Sequence, residues 1–292
     1  PMFQTARVYL SEIKFAHTIF AMPFAFAGAA MAFAECGRPS ILFILEKLAL
    51  VIVAMIGARS AAMMFNRVAD VRFDAANPRT AGRALVTDRI SRRAAWTFIA
   101  CMSALFIIAA GLLNPLAFLL SPAALAIVLG YSLTKRFTAL THFFLGLSLS
   151  LAPIGAWIGV LGAFGHFEIP ALTAGAVVLW VAGFDIIYAC QDYKIDAASP
   201  LHSIPKSLGI GKALLLSAML HGGTVLSLIG LLIAAHMGVI FAAGIVVIAV
   251  LLIIEHLIIR PGHLARVNTA FLTLNGIVSA TLMVSIILDM LF

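Results

Sequence analysis

LALVIVAMIGARSAAMMFNRVADVRFDAANP, residues 48–78, changes character half-way along. From Leu48 to Phe65 the only charged side chain is Arg59. As a helix that run rises about 27 Å at 1.5 Å per residue, close to the roughly 30 Å of a bilayer's hydrocarbon core. From Asn66 onward every fourth position carries an oxygen-bearing side chain: Asn66, Asp70 and Asp74. Steps of four keep side chains on one helix face. The stretch therefore predicts a membrane span that ends in an acidic helical face, stopped by Asn77-Pro78.

The rest of the chain repeats the apolar part of that pattern. Of 292 residues, 63% are hydrophobic and 11% charged, where an ordinary soluble domain carries roughly 25% charge. A bilayer accommodates such surface because lipid replaces water around the outer helix faces. Nine apolar segments are predicted, at about 15–34, 44–65, 94–113, 115–134, 139–161, 171–191, 213–235, 237–259 and 267–291. The first is a span rather than a signal peptide, since no small-residue cleavage site follows it. Turn signals separate the segments, among them Asn114-Pro115 and Arg260-Pro261-Gly262. The expected fold is all-α, a polytopic membrane protein forming one domain over 1–292.

The charge of +7 is distributed by side. Alternate loops hold Arg72, Arg79, Arg83, Arg89, Lys135, Arg136, Lys206 and most other lysines and arginines, while the opposite loops hold Arg38 and Lys47. This asymmetry places the N-terminus and the basic loops in the cytoplasm, in a bacterial inner membrane, and the C-terminus outside. The basic residues cluster at helix ends and form no aromatic-interleaved face, so no nucleic-acid partner is expected, and no obligate protein partner is evident. Cys36, Cys101 and Cys190 have no disulfide or zinc spacing.

A second acidic segment echoes the first. Asp70-Val-Arg-Phe-Asp74-Ala-Ala-Asn-Pro78 and Asp192-Tyr-Lys-Ile-Asp196-Ala-Ala-Ser-Pro200 share Asp-x₃-Asp-Ala-Ala-x-Pro, and each follows an apolar span. The echo predicts two similar halves, about 1–135 and 136–292, facing one cavity. Two such faces opposed would gather four or five carboxylates, which repel unless cations lie between them. Mg²⁺ suits that role, completing its octahedron with water and phosphate oxygens, and Arg67, Arg79, Lys135, Arg136 and Lys206 stand ready for the phosphates. The plainer alternative is that the acids pair with neighbouring arginines in a solvated loop. Arg59 and Asp185 each lie about two turns deeper than Asn66 and Asp192. They either pair with one another or line a pocket for a second substrate, Arg59 holding a carboxylate and Asp185 orienting or deprotonating a phenol. His17, Glu255 and His256 read as packing residues, whereas His202 and Ser203 follow Asp196 closely enough to join the site.

These motifs resemble the UbiA superfamily of intramembrane aromatic prenyltransferases over nearly the whole chain. Gly57-Ala-Arg59-Ser-Ala-Ala-Met-Met-Phe-Asn66-Arg67-x₂-Asp70-x₃-Asp74 with Asn77-Pro78-Arg79-Thr80-x₂-Arg83 is similar to the family's first signature, and Gly183-Phe-Asp185-Ile-Ile-Tyr188-Ala-Cys-Gln-Asp192-x₃-Asp196 to its second. Lys14-Phe-x-His17 and Tyr131-Ser-x-Thr-Lys135-Arg136-Phe-Thr add to the likeness. The pattern looks closest to the 4-hydroxybenzoate polyprenyltransferases, and within them to enzymes assigned to prenylating a dihydroxy-naphthoate for menaquinone. It departs in two loops, at Leu201, where a Gly usually precedes Leu, and after Arg83, where Pro and Gly are usual.

The resemblance implies nine helices around a central cavity open to the bilayer, a polyprenyl diphosphate donor and an aromatic quinone precursor as acceptor. It implies Mg²⁺ held by Asn66, Asp70, Asp74, Asp192 and Asp196. Arg59, Arg67, Arg79, Lys135, Arg136, His202, Ser203 and Lys206 would bind substrate, and Asp185 and Tyr188 would join the metal-binding aspartates in catalysis. A secondary transporter would share the repeated halves and the intramembrane charges. A CDP-alcohol phosphotransferase expects Asp-Gly-x₂-Ala-Arg before its acidic pair, and that string does not occur.

Overall fold

The computed structural model describes residues 8, 9, 12, 21–37, 39–193, 199–260 and 273–292. The described residues form helices joined by turns and short loops. In order they form α1 (Met22–Glu35), α2 (Ile41–Ala76), α3 (Arg92–Leu113), α4 (Pro115–Thr134), α5 (Thr141–Leu161) and α6 (Glu168–Ala189). A 3₁₀ turn (Cys190–Asp192) follows, then the short α7 (Ile204–Leu208), α8 (Ile210–Ala234), α9 (Val239–Ile258) and α10 (Asn275–Leu291). Seven helices, α2 to α6, α8 and α9, are long and apolar enough to cross a membrane, α6 together with its 3₁₀ turn; α1 and α10 are shorter apolar helices beside undescribed residues. The protein is an integral membrane protein. Its surface carries apolar side chains such as Leu119 and Val239, while Ser150, Ser217, His221, Glu255 and Asn275 are buried.

Helix starts follow from local chemistry. Ser40 accepts a hydrogen bond from the Phe43 amide, and Ser91 accepts one from the Ala94 amide, capping α2 and α3. Asn114 does more: its Oδ1 accepts from the Ala117 amide (2.8 Å) to cap α4, whose first residue is Pro115. Its Nδ2 donates to the Ile158 and Gly159 carbonyls near the end of α5. Asp289 in α10 caps α9 across space, accepting from the Gly238 and Phe241 amides.

One boundary agrees with the sequence reading and one differs. α2 continues unbroken from its apolar part through Asp74 to Ala76, as the four-residue spacing requires, because nothing between Phe65 and Ala76 breaks a helix. The second motif does not keep one continuous face. The α-helix stops at Ala189, and Asp192 is carried around by the tighter 3₁₀ turn.

Neighbours in sequence are mostly neighbours in space. α2 packs along α3, α4 along α3 and α5, α6 between α5 and α8, and α9 against α8 and α10, while α1 lies against α5 and α10. Small residues permit the closest crossings. A Cβ on Gly146 of α5 would lie 2.6 Å from the Val178 carbonyl oxygen of α6, so that crossing admits only glycine. Gly146→Ala is expected to cost about 1–3 kcal/mol through overpacking. The unfolding midpoint in detergent should fall by about 5 °C. Gly222→Ala, on a site with nothing near its Cβ, is the matched control and should leave the midpoint unchanged.

Candidate active site

Both acidic motifs end at the same end of the bundle, and one arginine joins them. Arg79 follows the C-terminus of α2 in a turn where its amide donates to Asn77 Oδ1 (2.9 Å). Its guanidinium reaches across to the second motif, donating to Asp192 Oδ2 (2.6 Å) and Tyr188 Oη (3.2 Å) and lying over the Tyr188 ring. Residues 109 and 113 positions apart thus meet above one cavity.

Within the first motif the helical spacing has its expected effect: Asn66 Nδ2 donates to Asp70 Oδ2 (3.2 Å). Lys135 Nζ also donates to Asp70 Oδ2, and Arg83 Nη1 to Asp74 Oδ2 (2.5 Å). Thr80 Oγ1 donates to the Asp74 carbonyl, tying the end of α2 to the following turn. Arg67 is turned toward the N-terminal segment, its Nε donating to the Glu12 carbonyl (3.3 Å). Glu12 Oε1 in turn accepts from the Ala84 amide.

The described acids of the two motifs are held apart, each by a cation. Among the described residues no three His, Cys, Asp or Glu side chains gather closely enough to hold an ion. Lys135, Arg83 and Arg79 each pair with one acid and balance its charge. Asp196 lies outside the described residues. The donor set nevertheless suits a hard cation: oxygen ligands from Asn66, Asp70, Asp74 and Asp192, with Asp70 2% exposed and its Oδ1 without any hydrogen-bond partner. A buried carboxylate oxygen left unmade is costly, and an ion is the partner that chemistry supplies.

Below this charged end lies a cavity of about 690 Å³. Asn66, Arg67, Arg79, Lys135, Tyr188 and Asp192 rim it, and its walls are apolar, including Met55, Phe106, Leu113, Ile158 and Trp180. Arg59 and Asp185 both border it, deeper along α2 and α6. They do not pair with one another. Asp185 Oδ2 is 2.6 Å from His142 Nδ1, and Arg59 forms no ion pair among the described residues, its buried Nε having no hydrogen-bond partner.

The remaining expected residues fall in two groups. His202 and Ser203 border the cavity; the His202 amide donates to the Lys135 carbonyl (2.7 Å), and Ser203 Oγ caps α7. Lys206 and Arg136 do not border it. Lys206 Nζ is spent on the Ser199 and Leu201 carbonyls of its own loop, and Arg136 donates to the Ala69 carbonyl and lies over Phe73. Their positive charges shape the loops rather than face the cavity. Two residues escaped the sequence reading. Glu12 offered only a lone acid before the first span. His142 offered an ionisable side chain one residue into a mostly apolar helix, shortly after Lys135-Arg136.

Known proteins resemble this chain in sequence and in fold. The chain is 31% identical over 252 residues to the 4-hydroxybenzoate octaprenyltransferase of Nitrosospira multiformis, covering 85% of this chain and 84% of that one. It is 34% identical over 202 residues to the enzyme of the same name from Alcanivorax borkumensis, covering 67% and 65%. The apo structure of a UbiA homolog from Aeropyrum pernix superposes with a TM-score of 0.84 at 36% identity, over 94% of this chain and 98% of that one. A UbiA homolog from Archaeoglobus fulgidus, bound to DMAPP and Mg²⁺, has the same fold, with a TM-score of 0.76 at 23% identity over 97% and 98% of the two chains. The family model of the UbiA prenyltransferases matches residues 21–277, a stretch that holds both acidic motifs and the described residues that line the cavity, and the chain belongs to that family.

Proposed function

We propose that the protein transfers a polyprenyl group from polyprenyl diphosphate to an aromatic, carboxylate-bearing quinone precursor, 4-hydroxybenzoate or a dihydroxy-naphthoate, in ubiquinone or menaquinone biosynthesis. One observation carries this reading: a charged mouth, bridged by Arg79, opens onto an apolar cavity whose depth holds a cation, Arg59, with no ion-pair partner among the described residues, and a carboxylate, Asp185. The mouth suits a diphosphate, the walls suit a prenyl chain, and the two deeper groups suit a hydroxy-aromatic acid. The family match gives no support to the transporter reading.

In this reading Asn66, Asp70, Asp74, Asp192 and Asp196 hold Mg²⁺. When bound, the ion stabilises the negative charge that builds on the departing diphosphate. Arg79, Arg83 and Lys135, which neutralise the acids in the free protein, take phosphate oxygens as their alternative partners. The allylic C1–O bond breaks with its electron pair leaving on the diphosphate. The apolar walls exclude water from the developing allylic cation. The ring carbon beside the phenol attacks C1 as the phenol proton passes to Asp185. The ring hydrogen then moves to the oxygen, restoring the aromatic phenol. Tyr188, held under Arg79, closes the top of the acceptor position.

The same proposal includes nine transmembrane helices, with α1 and α10 as the first and last, the cavity open to the bilayer, and the motif end in the cytoplasm. Membranes containing the protein, given labelled geranyl diphosphate, Mg²⁺ and either 4-hydroxybenzoate or 1,4-dihydroxy-2-naphthoate, are expected to yield a labelled lipid product. No product with either acceptor sinks the proposal; product without added acceptor or metal counts equally against it.

A further inference from the structure

His142 sits in the first turn of α5, is 2% exposed, and borders the cavity. A buried imidazole must satisfy two nitrogens, and both are used here. Nε2 lies 3.3 Å from the Ile204 amide, and Nδ1 lies 2.6 Å from Asp185 Oδ2. An amide N–H can only donate, so Nε2 is the acceptor and carries no proton. The proton therefore resides on Nδ1 and is donated to Asp185. The tautomer follows from the backbone. Among the described residues Asp185 receives one hydrogen bond, on Oδ2, and its Oδ1 faces the ligand position in the cavity.

Ile204 opens α7, the short helix after the second motif's loop. The preceding His202 amide donates to the Lys135 carbonyl, and Lys135 Nζ pairs with Asp70. One imidazole thus joins the carboxylate deep in the cavity to residues 202–204, which reach Lys135 at the charged mouth. A histidine saturated on both sides is a poor proton shuttle and a good anchor.

We propose that His142 is a positioning residue for prenyl transfer, orienting the Asp185 carboxylate so that Oδ1 receives the acceptor's phenol proton. The inference rests on the reading of Asp185 as the acceptor base. In the step it supports, the O–H proton goes to Asp185 Oδ1 and the ring carbon bonds to C1 of the prenyl chain. The C1–O electron pair departs with diphosphate.

The test uses the full chain in detergent with Mg²⁺, geranyl diphosphate and either 4-hydroxybenzoate or 1,4-dihydroxy-2-naphthoate. His142→Ala is expected to lower kcat roughly 100-fold, the lower range for a mispositioned general base. The KM for geranyl diphosphate should stay within about twofold, because uniform donor binding is untouched. His142→Asn, whose amide donates from the Nδ1 position, should recover most of the loss, while His142→Gln, whose amide falls at Nε2, should not. His142→Ala in an Asp185→Asn background should cost nothing more, since residues acting as one unit are not additive.

Four results overturn the proposal while leaving the acceptor-base reading in place: wild-type kcat in His142→Ala, equal rescue by Asn and Gln, losses that multiply in the double variant, or a donor KM that rises with the acceptor KM. Wild-type kcat in Asp185→Asn removes the acceptor-base reading and His142's role together. If the alanine variant fails to fold, the comparison of Asn with Gln decides.

Discussion

Asp70→Asn is expected to reduce prenyl transfer roughly a thousandfold, the several kcal/mol that a metal-held leaving group contributes to the transition state. The argument begins with the position of the residue. Asp70 is one helical turn beyond Asn66 and one before Asp74, at the end of a helix that has just crossed an apolar layer. Its carboxylate is buried, its Oδ2 engaged by Asn66 and Lys135, and its Oδ1 partnerless. Replacing one oxygen with an amide preserves volume and the contact with Lys135 while removing the charge that an ion requires. The protein should therefore remain folded, with an unfolding midpoint in detergent shifted by a few degrees at most. The midpoint of Mg²⁺ activation should move to much higher concentration. Product formation from geranyl diphosphate, followed by chromatography across an Mg²⁺ series, measures both. Full turnover in this variant, at the wild-type Mg²⁺ midpoint, overturns the placement of the metal.

Much of this site was legible before any coordinates. The four-residue steps from Asn66 to Asp74 specify a face only if the segment is helical, and the absence of a breaker before Pro78 makes it so. The apolar periodicity likewise located α3, α4 and α9 closely, because Ser91, Asn114-Pro115 and Gly238 mark their starts. What the sequence could not supply was pairing across space. Nothing local assigns Arg79 to Asp192 rather than to Asp74, or Lys135 to Asp70, since both depend on how α2, α4 and α6 converge. The pairing of these acids with cations is a tertiary property. So is the choice of His142 over Arg59 as Asp185's partner: Arg59 and Asp185 stand at matching depth, but charge alone does not bring two helices' side chains together. The second motif's change from α-helix to 3₁₀ turn is equally invisible in Asp-x₃-Asp spacing, which is the same whichever helix carries it.

Arg59→Met should separate the two substrates. Arg59 borders the cavity about two turns below the acidic face, and among the described residues it has no ion-pair partner. A buried guanidinium held without a carboxylate is destabilising, and such strain persists where a ligand relieves it. Methionine keeps the length and removes the charge. Two effects of opposite sign follow. The free protein should gain stability, read as a higher unfolding midpoint in detergent, because an uncompensated cation has been removed. Transfer to an acidic acceptor should fall, since a charge-assisted contact contributes about 1.5–3 kcal/mol. That corresponds to roughly a 10- to 150-fold loss in kcat/KM for 4-hydroxybenzoate. The KM for geranyl diphosphate should not change, because Arg59 lies below the residues assigned to the diphosphate. The methyl ester of 4-hydroxybenzoate, which has no anion to hold, should be used equally well by both proteins. A variant that loses donor and acceptor alike, or that still prefers the acid over its ester as strongly as the parent does, would show that the carboxylate is held elsewhere. Arg59's isolation would then be a cost of packing α2 against α4, and Asp185 would have to recognise the acceptor through its phenol alone.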